Sequence, residues 1–156
     1  VLLCAALACV AALAAGLDRS APTPIANAAG ALVTTADLAL QIDVVRPADD
    51  VLRAAGRFNP PPPPGHESVL IYVSAECGAL LCRLSPQQFT LRDRAGASVE
   101  PRQRTVDDPL VSVTLRRGES FARRALVFEA PVGAEGLRLV HRAGLFFGTE
   151  TAFAVP

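Results

Sequence analysis

The chain has 156 residues, with 15 cationic and 15 anionic side chains and a formal net charge of zero. That balance argues against a dedicated nucleic-acid binder, which normally carries a basic excess, and the length suits one domain with an N-terminal appendage. Every cationic residue is arginine. The first 17 residues, VLLCAALACVAALAAGL, carry no charge. The run is long enough for the apolar region of a signal peptide and slightly short for a membrane span. It fits a signal cleaved after the small residues Ala12 and Ala14, an uncleaved anchor, or lipid attachment at Cys9. Each alternative exports the remainder of the chain. A buried N-terminal helix fits less well, because no polar face repeats at helical spacing.

Residues 18–30 are rich in Ala, Pro and Thr, lack sustained periodicity, and read as a linker. The domain is expected to occupy residues 31–156. Leu38, Leu40, Ile42 and Val44 then fall on every second position, the signature of a strand with one buried face. Residues 46–67 interrupt the alternation. They contain Asp49, Asp50 and five consecutive prolines at 60–64, and read as one long irregular connection with a stiff surface loop. A ligand for a proline-binding groove is the alternative, and a connection of this length is a place where function can sit.

The clearest strand comes next, at residues 68–77. Val69, Ile71, Val73, Ala75 and Cys77 share one face, and Leu70, Tyr72, Ser74 and Glu76 share the other. The chain turns at residues 78–81 and Cys82 leads on. Residues 89–101, FTLRDRAGASVEP, read as a hairpin with strand neighbours on both sides. Phe89 and Leu91 alternate with Thr90 and Arg92, and Asp93 and Gly96 supply turn chemistry. Val111 and Val113 alternate with Ser112 and Thr114, before a turn at residues 116–119. Leu126 and Phe128 mark a strand that Pro131 ends, and Leu137 and Leu139 mark a short one. A Phe-rich strand from Phe147 to Val155 closes the chain. No segment after residue 30 sustains helical periodicity over three turns. Seven to eight short strands with frequent turns predict an antiparallel β-sandwich.

Four motifs in order resemble a known family. They are Phe89-Thr90-Leu91-Arg92-Asp93-Arg94-Ala95-Gly96, Leu115-Arg116-Arg117-Gly118-Glu119-Ser120, Leu126-Val127-Phe128-Glu129-Ala130-Pro131, and the strand from Val69 to Ala75 that precedes them. They resemble a bacterial domain-of-unknown-function family of secreted proteins and lipoproteins grouped with the immunoprotective extracellular antigen. The resemblance covers residues 38–156. It implies an immunoglobulin-like sandwich and implies no catalytic residue. Cys77, Cys82 and a longer proline loop depart from the family pattern.

Few residues are candidates for chemistry. Cys77 and Cys82 flank a four-residue turn, and export favours a disulfide between them. Free thiols, or a metal site completed by His66 and His141, are the alternatives; no metal or cofactor is expected. His141 reads as a surface or satisfied histidine, since no hydrolase, zinc-protease or phosphate-loop motif accompanies it. Asp49-Asp50 and Asp107-Asp108 lack the oxygen spacing of a calcium loop. Arg116, Arg117, Arg123 and Arg124 form a candidate basic patch toward an anionic envelope polymer, with solvated strand ends as the plainer reading.

The sequence therefore predicts an exported interaction module without catalytic activity, secreted or anchored on the outer face of the cytoplasmic membrane. Its partner would be an envelope protein or polymer, not nucleic acid, and it would touch membrane only through the N-terminal segment. A small metal-binding or enzymatic envelope protein using His66, His141 and the cysteines is the competing prediction.

Overall fold

Strand His66–Cys77 (β4) is buried on both faces over most of its length, and the architecture is set by the elements that cover each face. A computed structural model of the chain describes residues 26–35, 37–56, 59–143 and 148–156. The proposed leader at residues 1–17 lies outside them.

β4 pairs on one side with Leu38–Val45 (β3) and on the other with Ser120–Pro131 (β9). The two-residue strand Val33–Thr34 (β2) extends this sheet beyond β3. The opposing sheet is built from Ala26–Asn27 (β1), Phe89–Arg92 (β6), Ser98–Val99 (β7), Leu137–Arg142 (β10) and Glu150–Val155 (β11). Their order across it is β1-β11-β10-β6-β7. A separate ribbon pairs Leu81–Leu84 (β5) with Val113–Arg116 (β8). Eight of these strands have four residues or more, and the fold is the antiparallel sandwich that the alternation predicts, of the immunoglobulin-like kind that the family resemblance implies. One pair departs from it: β1 runs parallel to β11. Ala26 and Asn27 are thus sheet residues, where a linker was expected. The Asn27 amide fixes the start by donating to the Ala152 carbonyl at 2.9 Å.

The core lies between the sheets. Leu40, Ile42, Val69, Ile71, Val73 and Phe128 face Phe89, Leu91, Leu139 and Phe153 across it. Phe89, Phe128 and Phe153 are fully enclosed. The second face of β4 is not solvent-exposed either. Leu70, with Ala125 and Val127 from β9, packs against Ala48 and Leu52.

Leu52 belongs to a two-turn helix, Asp49–Ala55 (α1), within the segment expected to be irregular. Two turns are too short to display a helical repeat, so pattern reading misses them. Asp49 and Asp50 occupy the first turn, where carboxylates complement the helix dipole, and the Asp49 carboxylate accepts from the Ser68 amide at 3.3 Å. The helix lies over the apolar outer face of β4 and explains why Leu70 is apolar. The segment after α1 is tied down by Asn59. Its side-chain amide donates to the carbonyls of Leu52 and Thr105 at 2.8 and 2.6 Å, and its carbonyl accepts from the Thr105 amide.

Two further expectations need correction. The 89–101 hairpin forms as read, with the Asp93 carboxylate accepting the Ala97 amide at 2.8 Å and Gly96 at φ 92°. It has a strand neighbour only at β10, however, because β7 is the sheet edge. Val111 lies outside β8 and is 53% exposed; Leu110 and Leu115 supply the buried contacts instead. The exposed edge of β9 is covered by the segment 101–110, which forms bridges at Arg102 with Val127 and Pro109 with Ala125. Covering an edge in this way removes a template for unwanted strand pairing.

Candidate functional site

At the end where β4 finishes, the β5–β8 ribbon is joined to the four-stranded sheet. Cys77, the last residue of β4, is bonded to Cys82 in β5, with Cα atoms 5.7 Å apart. Both cysteines are buried in the core. The bond therefore does more than close a turn: it staples the ribbon to the four-stranded sheet. The turn between β8 and β9 docks on the same end, through a Gly118 amide that donates to the Cys77 carbonyl and a Cys77 amide that donates to the Glu119 carbonyl.

A cavity of about 610 Å³ opens at this end, with a lining that includes Leu38, Leu84, Val113, Asp37, Arg83 and His141. His141 reaches it through strand alternation. Leu137, Leu139 and His141 occupy inward positions of β10, so the imidazole falls where the pattern calls for a core side chain. It is 2% exposed and lies against the Phe89 ring, centroids 4.8 Å apart. Neither ring nitrogen has a hydrogen-bond partner among the described residues. Burial lowers its pKa from 6.5 to about 4, which keeps the ring neutral at physiological pH. The imidazole is therefore buried and not at the surface, the first of the two alternatives that the sequence left open. Its signal was the row Leu137, Leu139, His141, which a period-two reading could have extended by one residue.

His66 sits at the opposite end of the sandwich. It opens β4 opposite Pro131, is exposed, and has Nδ1 3.4 Å from the Pro64 carbonyl oxygen. The structure therefore does not bring together His66, His141 and the cysteines, as the competing prediction requires. Among the described residues there is no cluster of three or more His, Cys, Asp or Glu arranged to hold a metal.

The four candidate arginines divide into two pairs. Arg116 and Arg117 are exposed on the β8–β9 turn. The Glu119 carboxylate there accepts the Arg116 amide at 2.7 Å. Arg123 occupies the irregularity between β4 and β9 with φ 52°, its amide donating to the Ser74 hydroxyl. Its guanidinium pairs with Asp43 at 2.9 Å and lies 4.3 Å from the Tyr72 ring centroid. Arg124 lies over Phe121. Arg123 and Arg124 thus lie against aromatic rings, while Arg116 and Arg117 are presented by a turn.

Three ion-pair groups went unnoticed in the sequence because their members are far apart along it. Arg46 donates to Glu67 at 2.7 Å and to the carbonyls of Ala134 and Pro156 at 2.6 and 3.3 Å, joining β3 and β4 to the turn after β9 and to the C-terminus. Glu129 receives Arg102 and Arg104. Glu150 receives a two-pronged contact from Arg92, both bonds 2.9 Å, and a further bond from Arg142. Hydrogen bonding from Arg92 is the main cause that holds the Glu150 carboxyl down at about 2.

No family model matches the chain, and no curated protein matches it in sequence. The fold is found in solved structures. A Bacillus subtilis protein assigned as a lipoprotein, ycdA, superposes with a TM-score of 0.60 at 11% identity. It aligns with 80% of this chain, which spans 38% of its length. The secreted protein MPT63 of Mycobacterium tuberculosis superposes with a TM-score of 0.58 at 12% identity, over 86% of this chain and 100% of its own. The yjhA protein of Bacillus subtilis gives 0.57 at 13%, over 83% and 98%. At such identities the likeness is one of fold.

Proposed function

We propose that the chain is an exported cell-envelope or extracellular interaction module without catalytic activity of its own, of the secreted and lipoprotein sandwich type that its motifs resemble. The observation that carries this reading is the buried Cys77–Cys82 disulfide in the core of a small sandwich. Structural disulfides persist in oxidising compartments and are rare in the cytosol. The uncharged leader at residues 1–17 supports the same compartment, as does a fold shared with proteins described as secreted or as lipoproteins. The contact regions would be loops on a rigid scaffold: the exposed proline run at 60–64 and the turn bearing Arg116 and Arg117, with Arg123 and Arg124 on the adjoining strand β9. The partner is an envelope protein or an anionic envelope polymer, and the membrane is met only through the N-terminal segment.

Fractionation of the native host, with thiol alkylation before and after reduction, tests the compartment. Recovery outside the cytoplasm, with Cys77 and Cys82 alkylated only after reduction, is the expected result. Cytoplasmic protein with both thiols free would overturn it. Retention on purified envelope tests the mode of action. Deleting residues 60–64 or replacing Arg116 and Arg117 by Ala should weaken retention. Loss of retention only in the His66→Ala, His141→Ala double variant would replace the loop reading with a histidine-dependent one.

A further inference from the structure

The connection from α1 to β4 carries five consecutive prolines, Pro60 to Pro64. Each ring locks φ at about −65°, and each residue that precedes a proline is pushed into the extended region. None of the peptide bonds in the run is cis. Asn59 to Pro63 are therefore confined to a left-handed polyproline II helix, with about three residues per turn and no internal hydrogen bonds. The exposure pattern repeats at that period. Asn59 and Pro62 are half-buried, whereas Pro60, Pro61, Pro63 and Pro64 are exposed. One ridge of the helix thus rests on the fold, and two ridges, Pro60 with Pro63 and Pro61 with Pro64, face solvent. Both ends are fixed. Asn59 is bonded to Leu52 and Thr105. The His66 amide donates to the Pro63 carbonyl at 3.0 Å, across a turn in which Gly65 has φ 78°.

We propose that this run is a preformed docking ligand, and that its partner is a protein whose groove is lined by aromatic side chains and takes the two exposed ridges. The inference rests on the interaction-module reading and narrows its partner from an envelope protein or polymer to a protein. The hydrogen-bonding inventory decides between the two. Proline has no backbone N–H, so the run offers acceptors only. The carbonyls of Pro60, Pro61 and Pro62 receive no hydrogen bond from the described residues. The charged groups of an anionic polymer likewise only accept, and they give the rings no apolar surface. Tryptophan and tyrosine side chains supply both counterparts: a flat apolar face for the rings, and an N–H or O–H for the carbonyls. Grooves of this kind recognise polyproline II segments because the ligand is already extended and loses little freedom on binding. Here the fold also fixes both ends, which lowers that cost further.

The test is retention of the full chain on purified envelope, with the peptide acetyl-Asn-Pro-Pro-Pro-Pro-Pro-Gly-amide as competitor. The peptide should displace the wild-type chain. Its D-proline counterpart, of the same composition and opposite hand, should not. Protease treatment of the envelope beforehand should abolish retention. Pro60→Ala with Pro63→Ala, and Pro61→Ala with Pro64→Ala, should each weaken retention about tenfold, the worth of roughly two buried methylenes. Pro62→Ala, on the ridge that faces the fold, should change it little. The competition needs no variant, so it decides the matter even if a substituted loop folds differently. Retention that survives protease would assign the partner to the polymer class and overturn the proposal. Failure of the L-peptide to compete, equal competition by the D-peptide, or an equal loss in Pro62→Ala would overturn it while leaving the module reading intact. Absence of wild-type retention on untreated envelope would overturn both.

Discussion

The imidazole of His141 lies against the ring of Phe89 across neighbouring strands, centroids 4.8 Å apart, with burial holding its pKa at about 4. The folded protein therefore resists a proton that the unfolded chain accepts near pH 6.5. Below that value the unfolded state binds more protons, so stability falls as pH drops from about 6.5 to about 4 and then levels off for this group. The separation corresponds to about 3 kcal/mol. Urea melts of wild type and His141→Phe at pH 7.5 and 4.5 should show a wild-type loss that is largely absent in the variant. Equal losses in the two proteins would place the acid sensitivity elsewhere.

Glu150 responds in a lower window. Its carboxyl is held at about 2, chiefly by hydrogen bonds from Arg92, against an ordinary value of 4.5. Its contribution is complete above the ordinary value and is lost as pH falls through about 2, the depressed-carboxylate direction. The pair is partly open to solvent, so Glu150→Gln should cost only about 1–2 kcal/mol at neutral pH, and less at high salt. A salt-independent cost, or an unchanged melt between pH 4.5 and 2 relative to wild type, would contradict this.

The Cys77–Cys82 bond closes a small loop, so it removes little freedom from the unfolded chain. Its stabilisation should fall near the low end of about 2–4 kcal/mol. Because it joins β4 to the ribbon, Cys77→Ala with Cys82→Ala should also raise amide exchange along β5 and β8 more than along β3. Uniform exchange changes across the molecule would deny the ribbon this dependence on the bond.

Phe128 is fully enclosed between the sheets. Truncation to Ala should cost about 3–5 kcal/mol, a large fraction of the stability of an ordinary domain. Leu52→Ala removes the main buried side chain of α1 from the outer face of β4 and should cost about 2–5 kcal/mol. A Leu52→Ala melt indistinguishable from wild type would mean that the helix covers the sheet without supporting it.

The longer strands were legible because they carry their own period-two pattern, while Val33–Thr34 and Leu81–Leu84 are too short to show one. Val69, Ile71, Val73, Ala75 and Cys77 announce an inward face whatever lies opposite, and Asp93 with Gly96 announces a turn from local chemistry alone. Cys77 and Cys82 could be paired on paper because only five positions separate them. Features that depend on distant partners were not legible. The helix at Asp49–Ala55 is too short to show a period, and it exists because β4 offers Leu70 as an apolar outer face to cover. Ala26 and Asn27 carry no strand signal of their own and become one by pairing with Ala152 and Phe153. Arg46 finds Glu67, Ala134 and Pro156 only after four separate segments converge. The surroundings of His141 are of the same kind. Sequence set it two residues after an inward Leu139, but only the pairing of β10 with β6 decided that its ring would lie against Phe89. Local alternation decides which way a side chain faces; convergence of remote segments decides what it faces.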